Sequence, residues 1–381
     1  MLIIHVGLHK TGSTAIQAAL SDMTRSELSG ITYMGSHCPA DNDGFMSSES
    51  ANKEPGFVVP THSEARRTAT EKMLADGKSV VLSSEGFLGS MQHLYPDARG
   101  RAQDIRNYFA SRTDLRVVIY LRPQHTWLES VYTQVIQEGG SDRVEDFTQR
   151  CLQQRYFRFA NLVADLKHEL GSQRLIVRAY HPGVDVVTDF LSILGVPRPN
   201  RFKHAPRPNK SITPAQVGLM RLVNETAKPA ESWALRYFFQ NSLPDSDDKT
   251  VTKTASVLPP DIQQEIRALT LTDWQELKTE IKDTLLPSTD VFDQVIEQAQ
   301  HEDQKLYIKS DWETPAISKE AAKSLRFACT QLSPKNKPLA NLLRSMQQKA
   351  RSDPGGLPRA GYRRIIRYVS ARTQSGRKTQ L

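Results

Sequence analysis

Short apolar runs and helix-period segments alternate along the first half of the chain. Strand-like runs fall at 2–6, 31–34, 79–83, 115–121 and 174–179. The clearest are Val80-Val81-Leu82 and Val117-Val118-Ile119-Tyr120-Leu121. Their apolar residues are continuous, as in parallel strands covered on both faces. Between these runs the spacing predicts helices over 13–23, 64–76, 99–111, 124–138, 145–170 and 184–194. Ile105, Tyr108 and Phe109 carry the helical period, and Gly171 and Gly195 read as helix stops. Strands separated by helices imply βαβ units. The expected class is α/β, with a doubly wound parallel sheet flanked by helices.

The pattern changes beyond Pro197. A basic, proline-rich stretch at 198–210 leads to helical candidates at 213–224, 229–240, 259–284 and 288–300, with no strong strand among them. Further helical patterns fall near 318–331 and 338–350, before a Pro354-Gly355-Gly356 break. The C-terminal region is therefore expected to be largely helical. The segment 36–62 is rich in Ser, Asn, Asp, Gly and Pro and reads as a long excursion loop, of the kind that often carries function.

Composition narrows the class. The 381 residues are 38% hydrophobic and 24% charged, as in a soluble globular protein. No apolar run approaches the roughly 20 residues of a spanning helix. Leu2-Ile3-Ile4 follows Met1 without a basic segment, so no secretory signal is expected. Cys38, Cys151 and Cys329 are far apart and match neither a disulfide framework nor a zinc site, so a cytoplasmic location is expected. The net charge of +8 is uneven. From Gln331 to Leu381 there are twelve Lys or Arg and one acidic residue, a net +11, which leaves −3 for the rest. A uniformly basic nucleic-acid-binding body is not indicated.

The sharpest motif is His5-Val6-Gly7-Leu8-His9-Lys10-Thr11-Gly12-Ser13-Thr14, placed after a strand and before a helix. Such a turn exposes backbone N–H groups at a helix N-terminus. Ser13 and Thr14 add hydroxyls and Lys10 a cation, which together make a phosphate cradle. Gly7 and Gly12 have the Walker A spacing, but Ser13 stands where that motif needs lysine. The displaced lysine argues for a phosphate ester other than a triphosphate. The plainer reading is a strand–turn–helix corner capped by Ser or Thr. His5 reads as a packed strand residue, and His9 as a loop residue able to face an acceptor.

A second candidate anion site follows the fourth strand. Arg122 stands at its exit and Ser130 eight residues later, two turns into a helix. An arginine fork with a hydroxyl suits a phosphate dianion. The alternative is a structural ion pair for Arg122 and a solvent-facing Ser130. Glu85 follows Val80-Val81-Leu82 at a third strand end, placed either as a general base or as a carboxylate favouring a helix N-terminus. Tyr180 ends the fifth strand, and Trp127 reads as helix-to-sheet packing.

Together these motifs resemble the sulfotransferases that use 3′-phosphoadenosine 5′-phosphosulfate (PAPS), and their bacterial carbohydrate-type members in particular. The resemblance implies a P-loop-like fold and a 5′-phosphosulfate loop formed by Lys10, Thr11, Gly12, Ser13 and Thr14. It also implies a 3′-phosphate site at Arg122 and Ser130. Glu85 resembles the family's catalytic base, with His9 the next candidate, and Lys10 would meet the leaving phosphate. The cytosolic-type Arg-Lys-Gly loop that clasps adenosine is not recognisable. PAPS is then the expected co-substrate, no metal is expected, and the acceptor would be a hydroxyl or amine, favoured as carbohydrate or glycolipid. The implied organisation is a core over 1–223, a helical completion or acceptor region over 224–310, and a basic extension over 311–381. A nucleotide or small-metabolite kinase with a divergent P-loop remains an alternative, as does a non-catalytic nucleotide-binding module.

The extension has one further pattern. Tyr362, Ile365, Ile366 and Val369 form an apolar stripe, with Arg363 and Arg367 on another side. This basic amphipathic helix would pack on the catalytic domain, contact an anionic inner membrane surface or dock an acidic partner.

Overall fold

The computed structural model describes residues 1–24, 26–34, 64–109, 114–181, 183–200, 212, 214–224, 255–287, 289–301 and 306–307. The excursion loop, the helix expected at 229–240 and the amphipathic tail helix lie outside the described residues.

The described chain divides into two units. The first contains the described residues of Met1–Trp127, Cys151–Pro208 and Ile266–Glu302. The second contains those of Leu128–Arg150, Asn209–Glu265 and Asp303–Leu381.

The first unit is built on a parallel sheet. Its strands are β1 (Leu2–His5), β2 (Thr32–Tyr33), β3 (Val80–Ser83), β4 (Leu115–Leu121) and β5 (Leu175–Ala179), in the order β2-β3-β1-β4-β5. The register sets His5 beside Ser83 on one side and beside Val118 on the other. The carboxyl ends of β3, β1 and β4 are therefore neighbours, and this crevice is where open α/β sheets take their ligands. The P-loop-like α/β class expected from the sequence is what the sheet shows.

Strand periodicity explains the core. Ile3, Val81, Val118, Tyr120 and Ile176 form one cluster with Ile16 and Leu20 of α1 (Ser13–Asp22) and Phe190 and Leu191 of α7 (Val186–Ile193). The alternate residues Leu2, Ile4, Val80, Leu82, Val117 and Ile119 are buried as well, so both faces of the sheet are covered. Each such side chain contributes about 1.5–3 kcal/mol by leaving water.

The intervening helices are α2 (Glu64–Ala75), α3 (Ala98–Tyr108), α4 (Gln124–Gln137), α5 (Val144–Leu152) and α6 (Phe159–Leu170). The single helix expected over 145–170 is two. Gln154 N–H bonds back to the Cys151 carbonyl at 3.0 Å, and Arg155–Phe157 forms a 3₁₀ turn. Asp165 then holds Arg155 at 3.1 and 3.2 Å and the Tyr156 hydroxyl at 2.8 Å. The restart at Phe159 is capped from far along the chain. Buried Asp273 accepts the Phe159 and Ala160 amides at 2.7 and 3.2 Å.

Beyond α7 come α8 (Pro214–Asn224), α9 (Pro260–Glu280) and α10 (Thr289–His301). Two short strands, β6 (Ala255–Ser256) and β7 (Leu306–Tyr307), pair in parallel within the second unit. The sequence offers no strand there because two residues are too few to show a period. In the same unit Asn224 donates to the Ile136 and Gly140 carbonyls at 2.6 and 2.7 Å, and Glu129 accepts the Val257 amide at 3.1 Å.

Candidate active site

The loop from Val6 to Gly12 joins β1 to α1 at the centre of the sheet. Lys10 and Gly12 both adopt left-handed backbone, with φ of 68° and 86°. Gly12 is required twice over. A β-carbon on it would stand 2.8 Å from Val186 Cγ1 and 3.0 Å from Tyr180 Cε2, and its φ disfavours any L side chain. The Thr11 hydroxyl is buried and donates to the Leu8 carbonyl at 2.5 Å, so it closes the loop from within. No side chain caps α1, and its first turn holds no acidic residue. The helix therefore meets the loop with its positive end uncompensated, as an anion site requires.

The start of α4 and Arg122, two residues before it, fasten this loop. Trp127 donates its indole N–H to the His9 carbonyl at 3.0 Å. Arg122 donates to the Lys10 carbonyl at 3.3 Å and through Nε to Thr126 Oγ1 at 3.1 Å. Its guanidinium stands 5.7 Å from the centre of the Tyr180 ring. Two consecutive carbonyls are thus held by donors, which fixes their peptide planes. Trp127 has a polar role beyond packing, although its ring also meets Phe159 edge-on at 5.5 Å. Nothing in the sequence marks that indole N–H.

On the β3 side, Glu85 opens a 3₁₀ turn, Glu85–Leu88, whose Gly86 amide is accepted by Ser84 Oγ at 3.2 Å. Ser84 N–H donates to the His5 carbonyl at 3.1 Å, which ties this corner to β1. His9 meets a residue the sequence did not flag. The Tyr95 hydroxyl oxygen accepts the His9 backbone N–H at 2.9 Å and lies 2.9 Å from His9 Nδ1. Burial pushes the Tyr95 phenol far up, the His9 amide opposes this, and the Glu85 charge adds to the rise. The neutral hydroxyl and His9 Nδ1 are paired, with the donor set by the His9 tautomer. Tyr95 and the preceding Leu94 are both left-handed, with φ of 56° and 53°. Two bulky residues in that region store strain where a site is assembled.

His5, His9, Lys10, Thr11, Gly12, Ser13, Thr14, Glu85 and Arg122 thus all belong to the first unit and to three neighbouring strand ends. Ser13 is buried and Thr14 exposed. Ser130 is half-buried on α4 and is counted with the second unit. Among the described residues no group of three or more His, Cys, Asp or Glu is placed to hold a metal. Among them, too, no helix is long and apolar enough to cross a membrane.

No protein-family model matches the chain. Over 124 residues, 31% of its length, the chain is 29% identical to an uncharacterized protein of Archaeoglobus fulgidus, and the match spans 33% of that protein. The chain therefore covers about a third of the curated relative it matches. The crystal structure of a sulfotransferase from Alicyclobacillus acidocaldarius is similar to it with a TM-score of 0.38 and 16% identity, over 76% of this chain and 98% of that one.

Proposed function

We propose that the protein transfers a sulfuryl group from PAPS to a hydroxyl or amine acceptor, with a carbohydrate or glycolipid favoured. The observation that carries this reading is the fastened Val6–Gly12 loop. It ends on an uncapped helix, and its lysine stands before Gly12 instead of after it. The loop fits a phosphate group, and the displaced lysine together with the motif resemblance favours the 5′-phosphosulfate over a triphosphate.

PAPS supplies an activated sulfuryl group on a good leaving phosphate. The loop amides, Ser13 and Thr14 would hold the 5′-phosphate. Lys10 would neutralise the charge that develops on the leaving oxygen. Glu85, at the adjacent strand end, would take the acceptor proton, and His9, oriented by Tyr95, is the second candidate for that role. Arg122 and Ser130 are assigned to the 3′-phosphate on the sequence resemblance.

Calorimetry tests the cofactor. 3′-Phosphoadenosine 5′-phosphate should bind at least about tenfold more tightly than a nucleotide lacking the 3′-phosphate, because a charge-assisted hydrogen bond contributes about 1.5–3 kcal/mol. Arg122→Ala should remove most of that difference. Equal affinities, with no label transferred from PAPS to a panel of sugar, lipid and alcohol acceptors, reject the reading. Preference for ATP with phosphoryl transfer would establish the kinase alternative.

A further inference from the structure

Beneath the loop, three side chains form a hydrogen-bonded chain that ends on a buried donor. Gln17 Nε2 lies 3.4 Å from Ser83 Oγ, and Ser83 Oγ lies 2.8 Å from His5 Nδ1. An amide nitrogen only donates, so the Ser83 oxygen accepts from Gln17, and the arrangement that also uses the Ser83 hydrogen sends it to His5 Nδ1. In that arrangement the His5 proton is on Nε2. His5 is 0% exposed and Ser13 is 1% exposed, and neither His5 Nε2 nor Ser13 Oγ has a hydrogen-bond partner among the described residues. Buried polar groups without partners are rare, and strain, an ordered water or a bound ion accounts for them.

The two atoms border the same space. A β-carbon on Gly7 would stand 2.6 Å from Ser13 Oγ and 3.0 Å from His5 Nε2. Glycine at position 7 leaves the gap between these atoms free of a side chain. Two polar hydrogens converge there, directly under the N-terminus of α1. An oxygen acceptor answers both of them, whereas a cation or an apolar group answers neither. We propose that His5 is an anion-binding residue: its Nε2–H and the Ser13 hydroxyl donate to one oxygen of a phosphate-like oxyanion held by the Gly7–Gly12 loop. On the proposed function, which this inference rests on for the identity of the anion, that oxygen belongs to the 5′-phosphate. Burial lowers the His5 pKa to about 3, so this donor stays neutral at physiological pH. Lys10 would supply charge, and His5 and Ser13 direction.

The test compares His5→Gln, whose amide nitrogen can reach the Nε2 position, with His5→Asn, which is too short. Calorimetry uses 3′-phosphoadenosine 5′-phosphate and inorganic pyrophosphate. His5→Asn should weaken both ligands about tenfold, as for one lost hydrogen bond to a charged group, and His5→Gln should recover most of the affinity. In the wild type labelled with ¹⁵N-histidine, the Nε2–H resonance absent from His5→Gln should shift when pyrophosphate is added. It should not titrate between about pH 5 and pH 8, as a buried neutral ring requires. If His5→Asn does not fold, Ser13→Ala and the wild-type resonance carry the test. Equal affinities for the two His5 variants, or an unshifted resonance at saturating pyrophosphate, overturn the proposal. A pyrophosphate shift without nucleotide binding keeps His5 as an anion ligand and rejects PAPS. Nucleotide binding without a shift does the reverse.

Discussion

Gly12 holds a φ of 86° while its α-carbon lies against Val186 and Tyr180, so alanine there meets two penalties at once. Left-handed backbone costs about 1–2 kcal/mol in an ordinary residue, and overpacking about 1–3 kcal/mol. Gly12→Ala should therefore destabilise the protein by about 2–5 kcal/mol in urea denaturation and abolish anion binding. His5 gives a pH signature. Its folded pKa is about 3 against an ordinary 6.5, so between those values only the unfolded chain takes up the proton. Stability from this group is present above pH 6.5 and falls as pH drops, by about 1.4 kcal/mol per pH unit. The gap in unfolding free energy between wild type and His5→Gln should close over that range, and a gap that does not change with pH would count against burial of a neutral ring. Glu85→Gln should keep nucleotide affinity while turnover drops about 10²-fold or more, if Glu85 is the base. Near-normal turnover would pass the role to His9. The glycines, Lys10 and Ser13 were visible in the sequence because the motif is local. Tyr95 was not, since nothing in His93-Leu94-Tyr95-Pro96 announces left-handed backbone or a contact with His9.

At the scale of elements, the break between α5 and α6 shows where periodicity stops informing. The apolar residues from Val144 to Leu170 are compatible with one helix, and the sequence reading took them so. The structure interrupts the helix because Asp273 on α9 caps Phe159 and Ala160. Asp273 is held in turn by Gln124 Nε2 at 2.5 Å, and Gln124 Oε1 accepts Trp274 Nε1–H at 2.9 Å. Asp273→Ala would strip the cap from α6 and leave Gln124 Nε2 with one of its two acceptors, the Phe157 carbonyl at 3.1 Å. A loss of about 3 kcal/mol is expected, combining a lost cap with a buried polar group left unpaired. Equilibrium denaturation checks it, and Asp273→Asn should retain part of the cap because its amide oxygen still accepts. The same reasoning covers the start of α4, where Trp127→Phe removes the donor to His9 together with part of a fully buried ring. Nucleotide affinity should fall, and the melting temperature should fall with it because the smaller ring leaves a cavity.

For the whole molecule, the decisive fact is strand order. With β1 between β3 and β4, residues 112 and 118 positions apart meet, in the bonds from Arg122 to the Lys10 carbonyl and from Trp127 to the His9 carbonyl. Charge is the other whole-chain property. The segment from Gln331 to Leu381 carries +11 by sequence. Each basic residue near an anionic bilayer contributes about 1 kcal/mol. If the segment meets membrane, truncation after Pro354 should abolish retention on anionic vesicles at low salt and spare turnover on a soluble acceptor. If its apolar stripe packs on the catalytic domain, truncation should lower the melting temperature, and the intact protein should not sediment with vesicles.

The sequence by itself determined the α/β class, all five strands of the main sheet and the glycine-bounded loop between β1 and α1. Those features are written in contiguous residues, as a run of apolar side chains or the spacing of Gly7, Lys10 and Gly12. Only the tertiary structure decided that Trp127 and Arg122 hold the loop carbonyls, that Tyr95 meets His9, and that Ser83 links Gln17 to His5. Each of these is a hydrogen bond between elements distant in sequence. Its geometry depends on strand order and register, which hydrophobic periodicity does not encode.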